Sequence, residues 1–481
     1  MGLVIEPPIE INTTGPDYWM DRVLRECDRA QRDFAPEPVH DLRVALRRCR
    51  SIADVFMAFD PHPAWQQMNN EGKRLFRQLG ALRDTQVMIE WVQRLACVAD
   101  ESPVILYSFL SNQEARFKET ASEALREFDQ KKWASWARRL SKRARHLPLE
   151  GMAFQHLALE RWADAHVLHS QALKNRSHVA YHRLRIGVKK FRYVIENFLP
   201  ERHESWGGDL RQLQDLLGEM HDLHVLWQTA LTIKAFSGEG IRTEWKQRIA
   251  EESNRRREKY RQLMLGKESL WQVWRSDLPK SDQISIAALA RLRAWSSFRD
   301  PDFAHSGHVT KLALQIYDGL DSLSLLRNIR LPDARFLLEA GALAHDVGKS
   351  KTSKKHQLAS YRMIRKFGPS PGWSVDSLRS VALIARFHRG ALPRSDQKAF
   401  AGLSYDQRKA IILLCGILRL ANAFDNLHQR RIRRLTLRQS GEIIYIEAPG
   451  YSEDDASAEK LAAARHLLET ACRFPILIRQ S

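Results

Sequence analysis

The feature that most constrains how this chain can fold is an internal repeat. His40-Asp-Leu-Arg43-Val-Ala-Leu-Arg47-Arg48-Cys-Arg50-Ser-Ile-Ala-Asp-Val-Phe56 aligns without a gap on His182-Arg-Leu-Arg185-Ile-Gly-Val-Lys189-Lys190-Phe-Arg192-Tyr-Val-Ile-Glu-Asn-Phe198, an offset of 142 (182 less 40). A second block, Leu79-Gly80-Ala-Leu-Arg83-Asp84-Thr-Gln-Val87, aligns on Leu217-Gly218-Glu-Met-His221-Asp222-Leu-His-Val225, an offset of 138 (221 less 83). Two blocks in one order at nearly one offset indicate a duplicated unit, here of roughly 130 residues. A loop such as Pro61-His-Pro63 or Pro200 to Gly208 would absorb the small difference in offset.

Each unit reads as helical. Apolar residues at 42, 46, 49, 52, 53 and 56 keep a helical period, as do those at 184, 188, 191, 194, 195 and 198. Beside this stripe runs a basic one, at 40, 43, 47 and 50 and again at 182, 185, 189 and 192. Steps of three and four put those side chains on one helix face. A solvated face is the ordinary fate of a charge run, but such a face has no need to repeat its cations position by position. Asp54 and Glu196 fall too late to pair within the stripe. Asp17 to Phe34, Gln66 to Leu82, Met152 to Leu173 and Arg242 to Met264 supply further helices, and the basic stretch Lys131 to Arg145 joins the two units. Trp133, Trp136 and Trp162 are not interleaved with the stripes and read as anchors.

The pattern H-x-x-R-x-x-x-[RK]-x-x-R followed by L-G-x-x-[RN]-D-x-x-V, present twice, resembles the CHAD (conserved histidine α-helical) domain over residues 15–277. The resemblance implies two pseudo-symmetric four-helix units, about 15–145 and 150–277, after an N-terminal tail of residues 1–14. It implies binding of inorganic polyphosphate by His40, Arg43, Arg47, Arg50 and Arg83 of the first unit. From the second it implicates His182, Arg185, Lys189 and Arg192. His221 stands where Arg83 has its counterpart, which departs from the family pattern. Polyphosphate has no base edges to read and suits a row of Arg and Lys. Nucleic acid is the alternative polyanion, although no recognition helix or stacking platform is visible.

The net charge of +19 over 481 residues agrees with a polyanionic partner. It does not locate the site, since residues 1–280 carry a net of +7 (45 against 38) and residues 281–481 a net of +12 (31 against 19). With 44% hydrophobic and 28% charged residues the chain reads as globular and of more than one domain. Ala410 to Leu418, the longest apolar run, is too short for a membrane span. Five cysteines without a paired spacing and no visible secretory signal lead us to expect a reducing cytoplasm. The polyphosphate reading adds association with polyphosphate granules. Cys49 and Cys415 read as core.

The second part carries a different pattern. Asp302-Phe-Ala-His305-Ser-Gly-His308-Val309 opens one amphipathic helix, and the apolar helix Leu337 to Ala344 runs into His345-Asp346-Val347-Gly348-Lys349. Arg419-Leu-Ala-Asn-Ala-Phe-Asp425 ends a third. This H…HD…D order resembles the HD superfamily of metal-dependent phosphohydrolases, expected here over residues 283–481. More closely, it is similar to the C-terminal region of the exopolyphosphatase/guanosine pentaphosphatase family. Ala344-His-Asp-Val-Gly348, Arg386-Phe-His388-Arg389 before Pro393, and Leu418 to Asp425 carry that likeness. So do an expected strand pair within Arg433 to Glu447 and a helix from Ala456 to Cys472.

The resemblance implies the metal ligands His305 (His308 the alternate), His345, Asp346 and Asp425, with His356 and His388 as candidates for a second metal. The ion would be divalent: Mn, Fe, Ni, Zn or Mg. Asp346 and Lys349 are the implied catalytic residues. Exopolyphosphatase activity is not carried over, because those relatives hydrolyse in an actin-like domain that this sequence does not contain. Gly348-Lys349-Ser350 is no P-loop, since Leu343 stands where Gly is required. The expected whole is a mostly α protein: two pseudo-symmetric helical units, then an α-helical HD domain with a small C-terminal α+β extension. Its expected role is polyphosphate binding joined to a metal-dependent phosphohydrolase. The alternatives are a scaffold with a degenerate HD sensor and a nucleic-acid-associated phosphohydrolase.

Overall fold

The computed structural model describes residues 15–32, 34–96, 102–327, 331–452 and 457–480, so the tail 1–14, Cys97 and Ala456 lie outside the described residues. The chain is mostly helical, with one small sheet near its C-terminal end. The first repeat forms α1 (Pro16–Arg32), α2 (Pro36–Phe59), α3 (Pro63–Leu95), α4 (Ser102–Arg126) and α5 (Gln130–Ala144). The second forms α6 (Met152–Asn175), α7 (His178–Phe198), α8 (Pro200–Thr232), α9 (Glu239–Met264) and α10 (Leu270–Asp277) in the same succession. Each repeat thus holds the four long helices expected and a fifth, shorter one. Proline at the first turn of α1, α2, α3 and α8 supplies a fixed φ where no amide donor is needed.

The expected apolar stripes become the core. Leu42, Leu46, Cys49, Ile52, Ala53 and Phe56 of α2 are buried, as are Leu184, Val188, Phe191, Val194, Ile195 and Phe198 of α7. The aligned Phe56 and Phe198 meet edge to face with ring centroids 5.6 Å apart, and Phe154 stacks on Phe198. Each such ring, fully buried, contributes roughly 1.5–3 kcal/mol. The offset difference is taken up by residues 57–62, the end of α2 and its short link to α3. The segment Pro200 to Gly208 is not a loop, because α8 begins at Pro200 directly after Leu199. Trp133 and Trp136 are buried and Trp162 is partly so.

Contacts divide the chain into two compact units, one taking in α1 to α10 and the other residues 59–61 and everything from Ser281 on. The second unit contains α11 (Asp282–Ser297), α12 (Phe303–Ser322), α13 (Ala334–Leu343), α14 (His356–Arg365), α15 (Val375–Arg386) and α16 (Tyr405–Phe424). Capping boxes open α15 (Ser374 with Ser377) and α16 (Ser404 with Gln407). The strand pair is β1 (Thr436–Ser440) antiparallel to β2 (Ile443–Glu447), and α17 (Ser457–Cys472) leads to a third strand absent from the sequence reading. That strand, β3 (Ile476–Arg479), runs parallel to β2 with Ile444 opposite Ile476. Ile444, Ile446, Ile476 and Leu468 join the core of α12, α13, α15 and α16, and Cys415 is buried in it. This all-apolar packing holds the starts and ends of those helices, where the polar residues gather, in fixed register.

Candidate metal centre and basic groove

In the second unit the site assembles where five helices start or stop. Asp302 caps α12 by accepting the amide of His305. After α13 a single 3-10 turn, Val347–Ser350, carries the chain past His345 and Asp346. His388 follows the end of α15, and Asp425 is the C-cap of α16. Gly348 makes the next step possible: a Cβ there would lie 2.2 Å from the His356 carbonyl oxygen and 2.5 Å from the Ser360 amide nitrogen. Only glycine lets the first turn of α14 sit against the 3-10 turn and bring His356 to Asp346. Ser360 ties the two together, donating to the His345 carbonyl at 2.7 Å and accepting from the Gly348 amide at 2.9 Å.

His305, His345, Asp346, His356, His388 and Asp425 are all buried, none more than 3% exposed. Nδ1–H of His345 donates to the Ala342 carbonyl at 2.7 Å, and that of His388 to the Ala385 carbonyl at 2.7 Å. Nδ1–H of His356 meets the Ser353 carbonyl at 3.3 Å. Those bonds fix the tautomer and leave each Nε2 as a lone pair turned inward. His345 Nε2 lies 3.4 Å from Asp346 Oδ2, while His356 and His388 Nε2 lie 2.9 and 3.6 Å from Oδ1. Asp346 therefore stands between two groups whose donor atoms lie within 4.8 Å of one another, His305–His345–Asp346 and Asp346–His356–His388. His345 Nε2 is buried without a hydrogen-bond partner. An orphaned imidazole nitrogen beside a carboxylate is a donor set that fits a divalent cation.

The electrostatics agree with that fit. Burial lowers the imidazoles of His345 and His388. Burial would raise the Asp346 carboxyl, but His345, His356, His388 and Lys349 outweigh it and hold the group far below the carboxylate range. Lys349 Nζ is 2.5 Å from Asp346 Oδ2, with its side chain 24% exposed at the mouth.

The carboxylate of Asp425, the implied fourth ligand, faces His305. Its Oδ2 accepts Nδ1–H of His305 at 2.7 Å, and its Oδ1 accepts the Arg430 amide at 2.6 Å. It lies outside both donor groups found among the described residues and orients His305 through that ring's other nitrogen. His308 belongs to neither group; its imidazole meets the Ile432 backbone. His428 was not foreseen. Its ring stacks on His305 at 3.8 Å and its Nδ1 donates to Asp302 at 2.5 Å.

In the first unit the two basic stripes come together. Burial, then Arg185, Arg47, Arg50 and Arg192, push the Lys189 ammonium down to about 8, so cations of α2 and α7 surround it. Arg43 donates to the carbonyls of Leu79 and Gly80 at 2.6 and 3.1 Å, and both Arg43 and Arg50 lie over the Phe76 ring. His40 is exposed at the rim, and burial with Arg47, Arg83 and Arg43 lowers its imidazole. Arg83 is partly exposed and pairs with Glu90 at 3.1 Å. Arg50 Nε, Arg185 Nε and His182 Nδ1 are buried without hydrogen-bond partners. The motif aspartates lie near the arginines. Burial raises the Asp84 carboxyl against the pull of Arg43 and Arg185, and raises that of Asp222 to about 6. His221 joins His178, His182 and His224 in a ring cluster, and burial with Arg185 lowers it to about 4, so it is no substitute for an arginine.

One stripe residue departs from expectation. Glu196 does pair within the stripe: Arg192 donates to its Oε1 through Nε and an Nη at 2.9 and 2.7 Å, and Arg48 reaches its Oε2 at 2.6 Å. Arg192 is buried and committed to this pair, because an i, i+4 step on α7 brings the carboxylate back over it. Glu196→Ala should strand the buried Arg192 and the half-buried Arg48 guanidinium groups at a cost of about 3–5 kcal/mol. A thermal melt of the variant would test this; an unfolding midpoint equal to that of the unaltered protein would refute the structural role.

Residues 20–231 match the CHAD domain family model, and residues 302–427 match that of the HD domain. The basic stripes fall inside the first match and every candidate metal ligand inside the second. No curated protein matches the chain. Among the described residues no helix is long and apolar enough to cross a membrane.

Proposed function

We propose that the second unit is a divalent-metal phosphohydrolase and that the first unit holds inorganic polyphosphate along the paired basic stripes. One observation carries the enzymatic reading: a buried carboxylate, Asp346, has each oxygen turned to a separate set of inward-facing imidazoles. His305, His345 and Asp346 would hold one ion, and Asp346, His356 and His388 a second. Imidazole-rich sets favour Fe, Ni, Zn or Mn ahead of Mg. A metal held there supplies a Lewis acid and lowers the pKa of bound water toward neutrality. Asp425 holds the His305 ring, Ser360 and Gly348 fix the backbone of His345, and Lys349 places a cation where a phosphoryl oxygen would enter. The likeness of Ala344 to Gly348, Arg386 to Arg389 and Leu418 to Asp425 to the exopolyphosphatase/guanosine pentaphosphatase C-terminal region supports a phosphoester or phosphoanhydride substrate.

For the first unit, the orphaned donors of Arg50, Arg185 and His182 support an anionic ligand. A repeated row of Arg and Lys, which needs no base edges to read, favours polyphosphate over nucleic acid. The test is metal analysis of the protein purified without chelator, then hydrolysis assays on monoesters, diesters, nucleotides and polyphosphate with Mn, Fe, Ni or Zn. Bound metal with turnover on at least one substrate is the expected result. A protein that stays metal-free after incubation with all four salts would move the HD unit to a degenerate sensor.

A further inference from the structure

The segment joining α16 to β1 begins at Asp425 and reads Asn426-Leu-His428-Gln-Arg430-Arg431-Ile432-Arg433-Arg434-Leu435. Four of its residues are arginines and all four are exposed, whereas Ile432 and Leu435 are buried as anchors. Among the described residues Arg430, Arg433 and Arg434 have no ion-pair partner. The segment is fixed, not loose. His428 and Arg430 adopt φ of 56° and 54°, a region non-glycine residues seldom occupy, and the double reversal returns the Arg430 amide to Asp425.

From there the segment tracks along α12. His428 stacks on His305, Ile432 meets His308, and the Leu435 amide donates to Gln315 at 2.8 Å. Ten residues of helix separate His305 from Gln315, about 15 Å at 1.5 Å per residue. Four cations thus lead away from the metal centre over that length. Arg431 lines a shallow pocket with Asp425 itself.

We infer that this arginine strip binds the trailing phosphates of the substrate, so that the HD site acts on oligophosphates in preference to simple monoesters. The inference rests on the reading of the centre as a phosphohydrolase. A row of exposed guanidinium groups on a fixed backbone offers paired donors to successive phosphates, whereas a single phosphate at the metal centre would leave it unused. Inorganic oligophosphate and a nucleoside oligophosphate share this chemistry. Single-stranded nucleic acid spaces its charges more widely and would call for stacking rings that the strip lacks.

The test uses the full chain loaded with Mn, as the original protein and as Arg433→Gln/Arg434→Gln, with the variant carrying all four Arg→Gln changes as a second step. Helical signal and metal content serve as folding controls, since the altered side chains are exposed. Tripolyphosphate, ATP and p-nitrophenyl phosphate are the substrates. The KM for tripolyphosphate or ATP, relative to that for the monoester, should rise about tenfold in the double variant and further in the quadruple one. The substrate with the larger rise identifies the source of the phosphate chain. An unchanged ratio, or competition by single-stranded DNA stronger than by tripolyphosphate, would overturn the inference.

Should the original protein hydrolyse none of these, the hydrolase reading is decided by the wider panel of metals and substrates, and the strip is judged by calorimetry. Tripolyphosphate is then titrated into a full chain carrying Arg43, Arg47, Arg185 and Lys189 changed to Ala, with and without the four Arg→Gln changes. About tenfold weaker binding on their addition upholds the strip; equal binding refutes it.

Discussion

Replacing Arg43, Arg47, Arg185 and Lys189 together by alanine should weaken polyphosphate binding at least about a hundredfold while the helical signal persists. A charge-assisted hydrogen bond is worth on the order of 1.5 kcal/mol, and about 1.4 kcal/mol is tenfold in affinity, so the loss of several such bonds exceeds two decades. Arg43 also ties α2 to α3 through the Leu79 and Gly80 carbonyls, so some stability goes with it, about 1 kcal/mol. Binding by the unaltered protein should fall with added salt, as expected of a row of cations meeting a polyanion. It should also fall as pH rises through about 8. Lys189 is held down to that value by burial and by its neighbouring arginines, and a bound polyanion favours its protonated form. Above that pH, binding must take up a proton, so affinity declines. Polyphosphate should displace duplex DNA from the protein. Undiminished binding in a folded quadruple variant would remove the ligand from these stripes.

Much of this molecule is legible from local pattern, and the parts that are not share a cause. Helical period located α2 and α7 and their buried faces, because burial of six residues per helix follows directly from spacing. The repeat exposed the cations as a set. What the pattern could not give was how far each cation is spoken for. Arg192 lies in the same stripe as Lys189, yet Glu196 and Arg48 draw it into a buried pair, while Lys189 lies over the Tyr193 ring among the arginines 185, 47, 50 and 192. A stricter use of i, i+4 spacing would have found Arg192–Glu196. Nothing local would have found Asp84 near Asp222, since 138 residues (222 less 84) separate them.

The same division holds in the second unit. The H…HD…D order offers His305, His345, Asp346 and Asp425 as candidates, but it says nothing of ring orientation. Backbone carbonyls three residues before His345 and His388 set which nitrogen faces inward, and those bonds exist only once the helix ends are formed. The resemblance implies Asp425 as a ligand; its position at Nδ1 of His305 comes from the C-cap geometry of α16 and the returning Arg430 amide. His428 was invisible for a similar reason, since its ring reaches His305 through a left-handed backbone turn that a histidine does not advertise. The third strand, Ile476–Arg479, is four residues long and pairs with β2 across α17, too short a pattern to stand out alone.

The second large effect expected is a graded loss of metal. Asp346→Ala should empty both donor groups, because its Oδ2 serves one and its Oδ1 the other. His388→Ala or His356→Ala should empty only the group they share and leave His305 and His345 with Asp346. Metal content of protein reloaded with Mn or Zn and then desalted should therefore fall to near zero in the first case and to about half in the second. Asp425→Asn should do less than either: it retains a hydrogen-bond acceptor for His305 but loses the charge, an indirect change that typically costs about 10–100-fold in affinity. Gly348→Ala belongs with the second class. The added Cβ would drive α14 off the 3-10 turn and carry His356 away while His345 stays anchored to Ala342. Equal loss in Asp346→Ala and His388→Ala would mean a single ion shared by all five residues, and unchanged content in Asp346→Ala would rule out this cluster as the metal centre.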